Sequence, residues 1–161
     1  MKSKKILLVF AMAVILMAGW GVSVRSSTGA EVIATQKKLV TQADQLAERQ
    51  LYVRAIELYK EALQNTTDLT PDIQKKLLET YKEYGDMSSY CDLVDIRVGN
   101  DTAKEEEYLN AAVYYEEHAN LKESVPMLEK GIEKLDSEKL REYLEEIRYQ
   151  YTLNIVGYKQ I

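Results

Sequence analysis

Residues 43–62 read ADQLAERQLYVRAIELYKEA, and this stretch decides the fold. Its first half carries the pattern Ala43-x2-Leu46, and its second half carries Ala55-x3-Tyr59-x2-Ala62. Offsets of three and four residues place side chains on one face of a helix. A short polar run separates the two halves, so the stretch predicts two helices joined by a tight turn.

Both patterns return twice further along the chain. The first half reappears as Leu78-x2-Tyr81 and Ala112-x2-Tyr115, and the second half as Tyr90-x3-Val94-x2-Arg97 and Ser124-x3-Leu128-x2-Gly131. Each half repeats at a spacing of 35 residues and then of 34 residues. Because two patterns repeat in the same register, we predict three consecutive helical hairpins.

These windows resemble the tetratricopeptide repeat, whose unit is a helix–turn–helix of about 34 residues. The resemblance covers residues 36–138 and is strongest in the first unit. It implies an all-α solenoid of three stacked helix pairs plus a capping helix. In the second unit Leu78, Tyr90 and Arg97 stand where the family has small residues. The resemblance therefore implies that the second hairpin is splayed or re-packed.

Local signals set the expected helix boundaries. Thr70 and Pro71 are typical of a helix start, with Thr70 as the capping residue. Thr102-x2-Glu105 has the spacing of a capping box. Pro126 should delay or kink the helix that contains it. The periodicity predicts helices at 32–49, 52–65, 71–84, 88–98, 103–118, 121–135 and 138–151.

The last predicted helix would close a helical domain spanning residues 31–151. Residues 152–161 are β-prone and lack helical periodicity, so we predict a β-prone tail there, either an ordered tail or the first strand of a further module. Residues 145–161 are also weakly similar to the junction in bacterial exported proteins where tetratricopeptide units precede WG-type β-repeats. No WG repeat is present in this sequence.

Residues 1–30 form a separate segment. Lys2, Lys4 and Lys5 precede residues 6–24, which are 19 uncharged and mainly apolar residues. A helix of about 20 apolar residues spans a bilayer. The lysines predict a cytoplasmic N-terminus and a body outside the cell membrane. Two alternatives stay open: a single-pass signal anchor, or a signal peptide cleaved near Ala30 that releases a secreted body.

Composition argues against several classes of function. The chain has 26 acidic and 21 basic residues, and the first 30 residues hold four of the basic residues and none of the acidic ones. The remaining body is strongly acidic, which argues against a nucleic-acid partner. The single Cys91 and the single His118 exclude an internal disulfide and a Cys/His zinc cluster. We expect Cys91 to be buried and His118 to lie at a helix end.

No residue pattern indicates catalysis. A glycine-rich phosphate loop is absent from the sequence, and paired carboxylates are too abundant for one acid and one base to stand out. We therefore expect no catalytic residue, no cofactor and no metal. The expected function is a membrane-anchored extracytoplasmic scaffold or adaptor. The alternative is a stalk or sensor region of a larger exported protein whose active module lies beyond residue 161.

The surface that such a repeat offers to partners is the groove lined by the first helix of each pair. Acidic residues dominate the corresponding faces, which favours a basic or neutral protein or peptide as the partner. The simpler alternative is that these acids only keep the domain soluble. The candidate groove residues are Asp44, Glu48, Lys75, Glu79, Lys82, Glu83, Glu106, Asn110 and Glu117.

Overall fold

A computed structural model describes the backbone of residues 28–158 and the side chains of residues 28–152. This part of the chain is all-helical, with seven helices and no strand, as predicted. It divides after Val32, and the contacts described below belong to the unit that begins at Ile33. The helices are α1 (Gly29–Glu48), α2 (Tyr52–Ala62), α3 (Thr70–Tyr84), α4 (Met87–Gly99), α5 (Glu105–Glu117), α6 (Leu121–Leu135) and α7 (Glu138–Tyr158).

Each helix packs against the next one along the chain, from α2 and α3 through to α6 and α7. Alternate helices also meet. Lys76 of α3 forms an ion pair with Asp44 of α1 at 2.9 Å, and Lys82 of α3 pairs with Glu106 of α5 at 3.2 Å. The helices α1, α3 and α5 therefore lie side by side and share one surface.

The residues of the recurring pattern form the core. The small residues Ala43, Ala55 and Ala112 have no exposed surface, and Leu128 is equally buried. The large residues of the second hairpin are buried as well, since Leu78 and Tyr90 are each 3% exposed. The core of this hairpin therefore accommodates these larger side chains.

Most helix boundaries lie within three residues of the predicted ones, but the capping residues differ. α3 begins at Thr70 itself, and the Thr70 hydroxyl accepts a hydrogen bond from the backbone of Thr67 in the preceding turn. α5 begins at Glu105, where the Glu107 carboxylate accepts from the backbone N–H of Lys104. Pro126 does not delay α6, which begins at Leu121.

The predicted β-prone tail is wrong for residues 152–158, because α7 continues to Tyr158. The buried residues Leu140, Leu144 and Ile147 anchor the first part of this helix. Nucleation is the costly step of helix formation, and once a helix is nucleated each added residue gains a backbone hydrogen bond. The local sequence preference is therefore overridden by the packed helix that precedes it.

Among residues 28–158, no helix has the length and apolar character needed to cross a membrane. The segment 6–24, for which we predict a signal anchor or signal peptide, lies outside the described residues.

Candidate functional site

Two adjacent clefts open on the surface shared by α1, α3 and α5. The first cleft has a volume of about 300 Å³ and lies between α1 and α3. The second cleft has a volume of about 170 Å³ and lies between α3 and α5. Glu79 of α3 lines both clefts and marks their boundary. The first cleft is lined by Asp44, Ala47, Glu48, Tyr59, Lys76, Glu79, Thr80 and Glu83. The second is lined by Lys75, Leu78, Glu79, Lys82, Tyr90, Lys104, Glu106, Glu107 and Asn110.

The clefts bring together eight of the nine candidate groove residues. Asp44, Glu48, Glu79 and Glu83 lie in the first, and Lys75, Lys82, Glu106 and Asn110 lie in the second. The ninth candidate, Glu117, lines neither cleft. It is the last residue of α5, about two helical turns beyond Asn110.

A buried tyrosine from the neighbouring helix forms the floor of the first cleft. Tyr59 of α2 is 2% exposed, and its hydroxyl donates a hydrogen bond to Oδ1 of Asp44 at 2.6 Å. Burial raises the pKa of the Tyr59 hydroxyl, and the Asp44 carboxylate raises it further. Lys76 Nζ also reaches both Asp44 oxygens, at 2.9 and 3.0 Å. Asp44 is therefore held in place, and its charge is balanced.

The first cleft is acidic overall. Four carboxylates line it against one lysine, which gives a net charge of −3. Glu79 is paired with Lys75 at 3.6 Å, but both side chains are well exposed, and such pairs contribute little. Glu48 and Glu83 are exposed, and within the described residues no hydrogen bond or ion pair engages either carboxylate. These two groups can therefore accept donors from a partner.

The second cleft has a different electrostatic character. Its floor is the buried Tyr90 of α4, whose hydroxyl accepts a hydrogen bond from Asn110 Nδ2 at 3.2 Å, and burial raises the pKa of this hydroxyl. At the rim, the Lys82 ammonium donates to Glu106 and lowers the pKa of that carboxyl. Three lysines face three carboxylates, so this cleft carries no net charge.

A buried ion pair stands behind the second cleft. Arg97 of α4 is 2% exposed and binds Glu107 of α5 through two hydrogen bonds, Nε to Oε2 at 2.8 Å and Nη2 to Oε1 at 3.1 Å. The remaining guanidinium hydrogens go to the carbonyls of Pro71 and Thr102 and to Oε1 of Gln74. The Glu107 charge is therefore compensated from within the fold.

Eight of the residues that line the clefts are not among the candidate groove residues, and four of these eight are Tyr59, Tyr90, Lys76 and Lys104. Tyr59 belongs to the recurring pattern and is buried, and it also lines the first cleft. Tyr90 stands where the tetratricopeptide family has a small residue, and its place in the second cleft was not predicted. Lys76 and Lys104 lie outside the face that the helical register assigned to the groove. The ion pair of Lys76 with Asp44 appears only when α1 and α3 are placed side by side.

Cys91 and His118 take structural positions. Cys91 is 1% exposed, which confirms the predicted burial, and burial raises the pKa of its thiol to about 11. The His118 ring lies at the end of α5, with Nδ1 at 2.8 Å from the carbonyl oxygen of Tyr114. In the described part of the chain, no group of three or more His, Cys, Asp or Glu side chains is arranged to hold a metal ion.

No protein-family model, no curated protein and no solved structure matches this chain. The function has to be inferred from the geometry and charge of the two clefts.

Proposed function

We propose that the protein is a non-catalytic scaffold or adaptor that binds a segment of a partner protein in the groove formed by α1, α3 and α5. The observation that carries this proposal is the pair of adjoining clefts on that surface. Each has a buried tyrosine as its floor and charged side chains on its rim. Tyrosine supplies a large contact area together with a polar group, which suits recognition of a peptide.

The resemblance to the tetratricopeptide repeat supports the same function. Consecutive helices pack in chain order, and the residues that repeat at spacings of 35 and 34 are buried. Proteins built from such units bind partners along the surface of their first helices. We therefore propose a tetratricopeptide-like stack of three helix pairs, with α7 as the capping helix.

The charges of the first cleft favour a basic or neutral segment. Among the residues that line this cleft, Glu48 and Glu83 are exposed carboxylates without a partner in the described side chains, and another carboxylate brought close to them would be repelled. A lysine or arginine side chain of the partner would form charge-assisted hydrogen bonds with them.

The cellular location is proposed from the sequence alone. The lysine-flanked apolar residues 6–24 support a signal anchor with the body outside the membrane, or a signal peptide cleaved near Ala30. The alternative function is a stalk or sensor region of a larger exported protein whose active module lies beyond residue 161.

The proposal is tested by peptide selection on the full-length chain in mild detergent. The immobilised chain is screened against a random peptide library beside two variants. Glu48→Lys/Glu83→Lys reverses the free charges of the first cleft. Glu57→Lys/Glu61→Lys makes the same charge change on exposed positions of α2, outside both clefts.

We expect the unaltered chain and the α2 variant to enrich the same peptides, and the cleft variant to lose them. Circular dichroism of each variant verifies that the helices are intact. Lack of enrichment on the unaltered chain, or equal enrichment on all three proteins, would overturn the proposed groove.

A further inference from the structure

We infer that the groove selects a segment of mixed charge, with a cationic side chain in the first cleft and a carboxylate in the second, about three residues apart. This inference rests on the proposed function and names the chemistry of the segment that the groove binds. It is carried by the opposite sign of the charges that the two clefts leave without internal partners.

The free charge of the first cleft is negative. Asp44 is neutralised by Lys76, and Glu79 has Lys75 within reach. After these pairs are set aside, Glu48 and Glu83 remain, which is a free charge of −2 among the residues lining this cleft. Glu48 and Glu83 are exposed and lie on separate helices, α1 and α3. A cationic side chain bound between these two carboxylates would therefore interact with both sides of the cleft.

The free charge of the second cleft is positive. Glu107 is compensated by the two hydrogen bonds from Arg97 beneath it, and Glu106 is paired with Lys82. Lys104 remains, since its ammonium forms no ion pair or hydrogen bond with another described residue. It is exposed at the entry to α5, and it gives this cleft a free charge of +1.

The spacing of the two charges follows from the helix packing. The ion pairs of Lys76 with Asp44 and of Lys82 with Glu106 show that α1 lies beside α3 and that α3 lies beside α5. Axes of packed helices are about 8–10 Å apart. An extended peptide advances about 3.3 Å per residue, so two side chains about three residues apart would reach successive clefts.

The floor of the groove does not add charge. Burial raises the pKa of Tyr59 and of Tyr90, so both hydroxyls remain neutral under physiological conditions. Each hydroxyl is engaged, Tyr59 by Asp44 and Tyr90 by Asn110. The rim residues Glu48, Glu83 and Lys104 therefore determine which peptide charges the groove prefers.

The test compares four pools of fluorescent eight-residue peptides that differ only at positions 3 and 6. These positions carry Lys and Asp, Asp and Lys, two Lys, or two Asp, and the other positions are uncharged and random. Binding to the full-length chain in mild detergent is measured by fluorescence anisotropy at low salt. We expect the two mixed pools to bind about fivefold more tightly than either uniform pool.

Two variants should change which peptide pool binds most tightly. Lys104→Glu should make the pool with two lysines the tightest, and Glu48→Lys/Glu83→Lys should favour the pool with two aspartates. Lys122→Glu, an equal charge change at an exposed position of α6 outside both clefts, should leave the order of the pools unchanged.

The outcomes separate this inference from the proposed function. If the unaltered chain binds the pool with two lysines most tightly, the groove is a uniform binder of cationic segments, and only the mixed-charge inference is overturned. If Lys104→Glu leaves the order of the pools unchanged, the second cleft does not select peptides by charge, and again only the mixed-charge inference is overturned. If none of the four pools binds, the proposed function is overturned together with the inference.

Discussion

Positions 62, 97 and 131 occupy the same place in the repeated pattern of the three hairpins, yet their side chains differ greatly in size: Ala62, Arg97 and Gly131. Ala62 and Gly131 are both small and buried. A Cβ atom added to Gly131 would lie 2.6 Å from Cδ1 of Leu140 and 2.8 Å from Cγ of Tyr108. Arg97, the largest side chain at this position, is 2% exposed. The space at this position can therefore be occupied either by neighbouring side chains packed against a small residue or by one large side chain.

The second hairpin replaces close packing with complete hydrogen bonding. A guanidinium has five N–H donors, and those of Arg97 meet acceptors on α3, on α5 and in the connection between α4 and α5. In the described residues, no buried side-chain nitrogen or oxygen lacks a hydrogen-bond partner. The comparison indicates that a large buried residue is tolerated at a small position when every polar group it brings is satisfied.

The largest expected effect comes from removing the Arg97 guanidinium. In Arg97→Met, the buried Glu107 carboxylate would lose its two hydrogen bonds from the guanidinium and its compensating charge. Breaking one partner of a buried ion pair typically lowers the free energy of unfolding by about 3–5 kcal/mol. Urea denaturation of the full-length chain, followed by circular dichroism, measures the loss.

The double variant Arg97→Met/Glu107→Met provides the control for this prediction. With both charges removed, the buried carboxylate is no longer stranded, and much of the stability should return. A double variant as unstable as Arg97→Met alone would show that packing volume, and not the unpaired carboxylate, causes the loss.

Gly131→Ala tests the close-packed solution at the equivalent position. The added methyl group would collide with the ring of Tyr108 and with Leu140, and overpacking of this kind costs about 1–3 kcal/mol. Gly99→Ala is the matched control, because a Cβ atom at Gly99 meets no atom within 4 Å. We expect Gly99→Ala to be neutral or stabilising by up to about 1 kcal/mol in thermal denaturation. Equal effects of the two substitutions would contradict a special role for Gly131.

In the first hairpin, the position of Ala62 depends on Gln36. This side chain is 2% exposed, donates to the carbonyls of Ala62 and Asn65 at 2.8 and 2.7 Å, and accepts from Thr67 Oγ1. Gln36→Leu would leave the end of α2 without these donors, and an unsatisfied buried polar group costs about 1–3 kcal/mol. Since part of this end is near solvent, we expect the lower half of that range.

Gln45→Leu makes the same substitution at an exposed position of α1 and serves as the control. We expect it to change the unfolding midpoint in urea only slightly. If Gln36→Leu were equally mild, water would have replaced its hydrogen bonds, and the first hairpin would not depend on this side chain.

The order of the helices could be predicted from the sequence because the signals for it are local. The two patterns that begin at Ala43 and Ala55 each repeat at spacings of 35 and 34 residues, and together with helical periodicity they place every helix within a few residues, apart from the end of α7. Eight of the nine candidate residues reach the clefts for the same reason, since the helical register alone determines which residues face one side.

The network around Arg97 could not be predicted because it joins distant parts of the chain. Arg97 bonds to Pro71 and Gln74, which lie 26 and 23 residues earlier in the sequence. No local pattern reports such a contact. The pairing of Lys76 with Asp44, 32 residues apart, is unpredictable for the same reason, and so is the tyrosine floor of each cleft.

The smallest expected effect sharpens the contrast between two carboxyl groups: Glu107 of α5, which is compensated by Arg97, and Asp95 of α4, which is not. Burial raises the pKa of the Asp95 carboxyl above its usual 3.8, with Lys130 opposing the shift and Glu123 and Asp92 adding to it. A raised pKa means that ionised Asp95 destabilises the fold. This penalty is absent below pH 3.8, grows as the pH rises through the raised pKa and is complete at pH 7.

Asp95→Asn should therefore raise the free energy of unfolding at pH 7 by less than about 0.5 kcal/mol, because the side chain is largely at the surface. The gain over the unaltered chain should shrink as the pH is lowered from 7 towards 4, as measured by urea denaturation at each pH. Asp68→Asn, in the exposed connection between α2 and α3, is the control and should show no comparable trend. A gain for Asp95→Asn that does not change with pH would mean that the amide stabilises α4 through packing and not through the removal of an ionisable group.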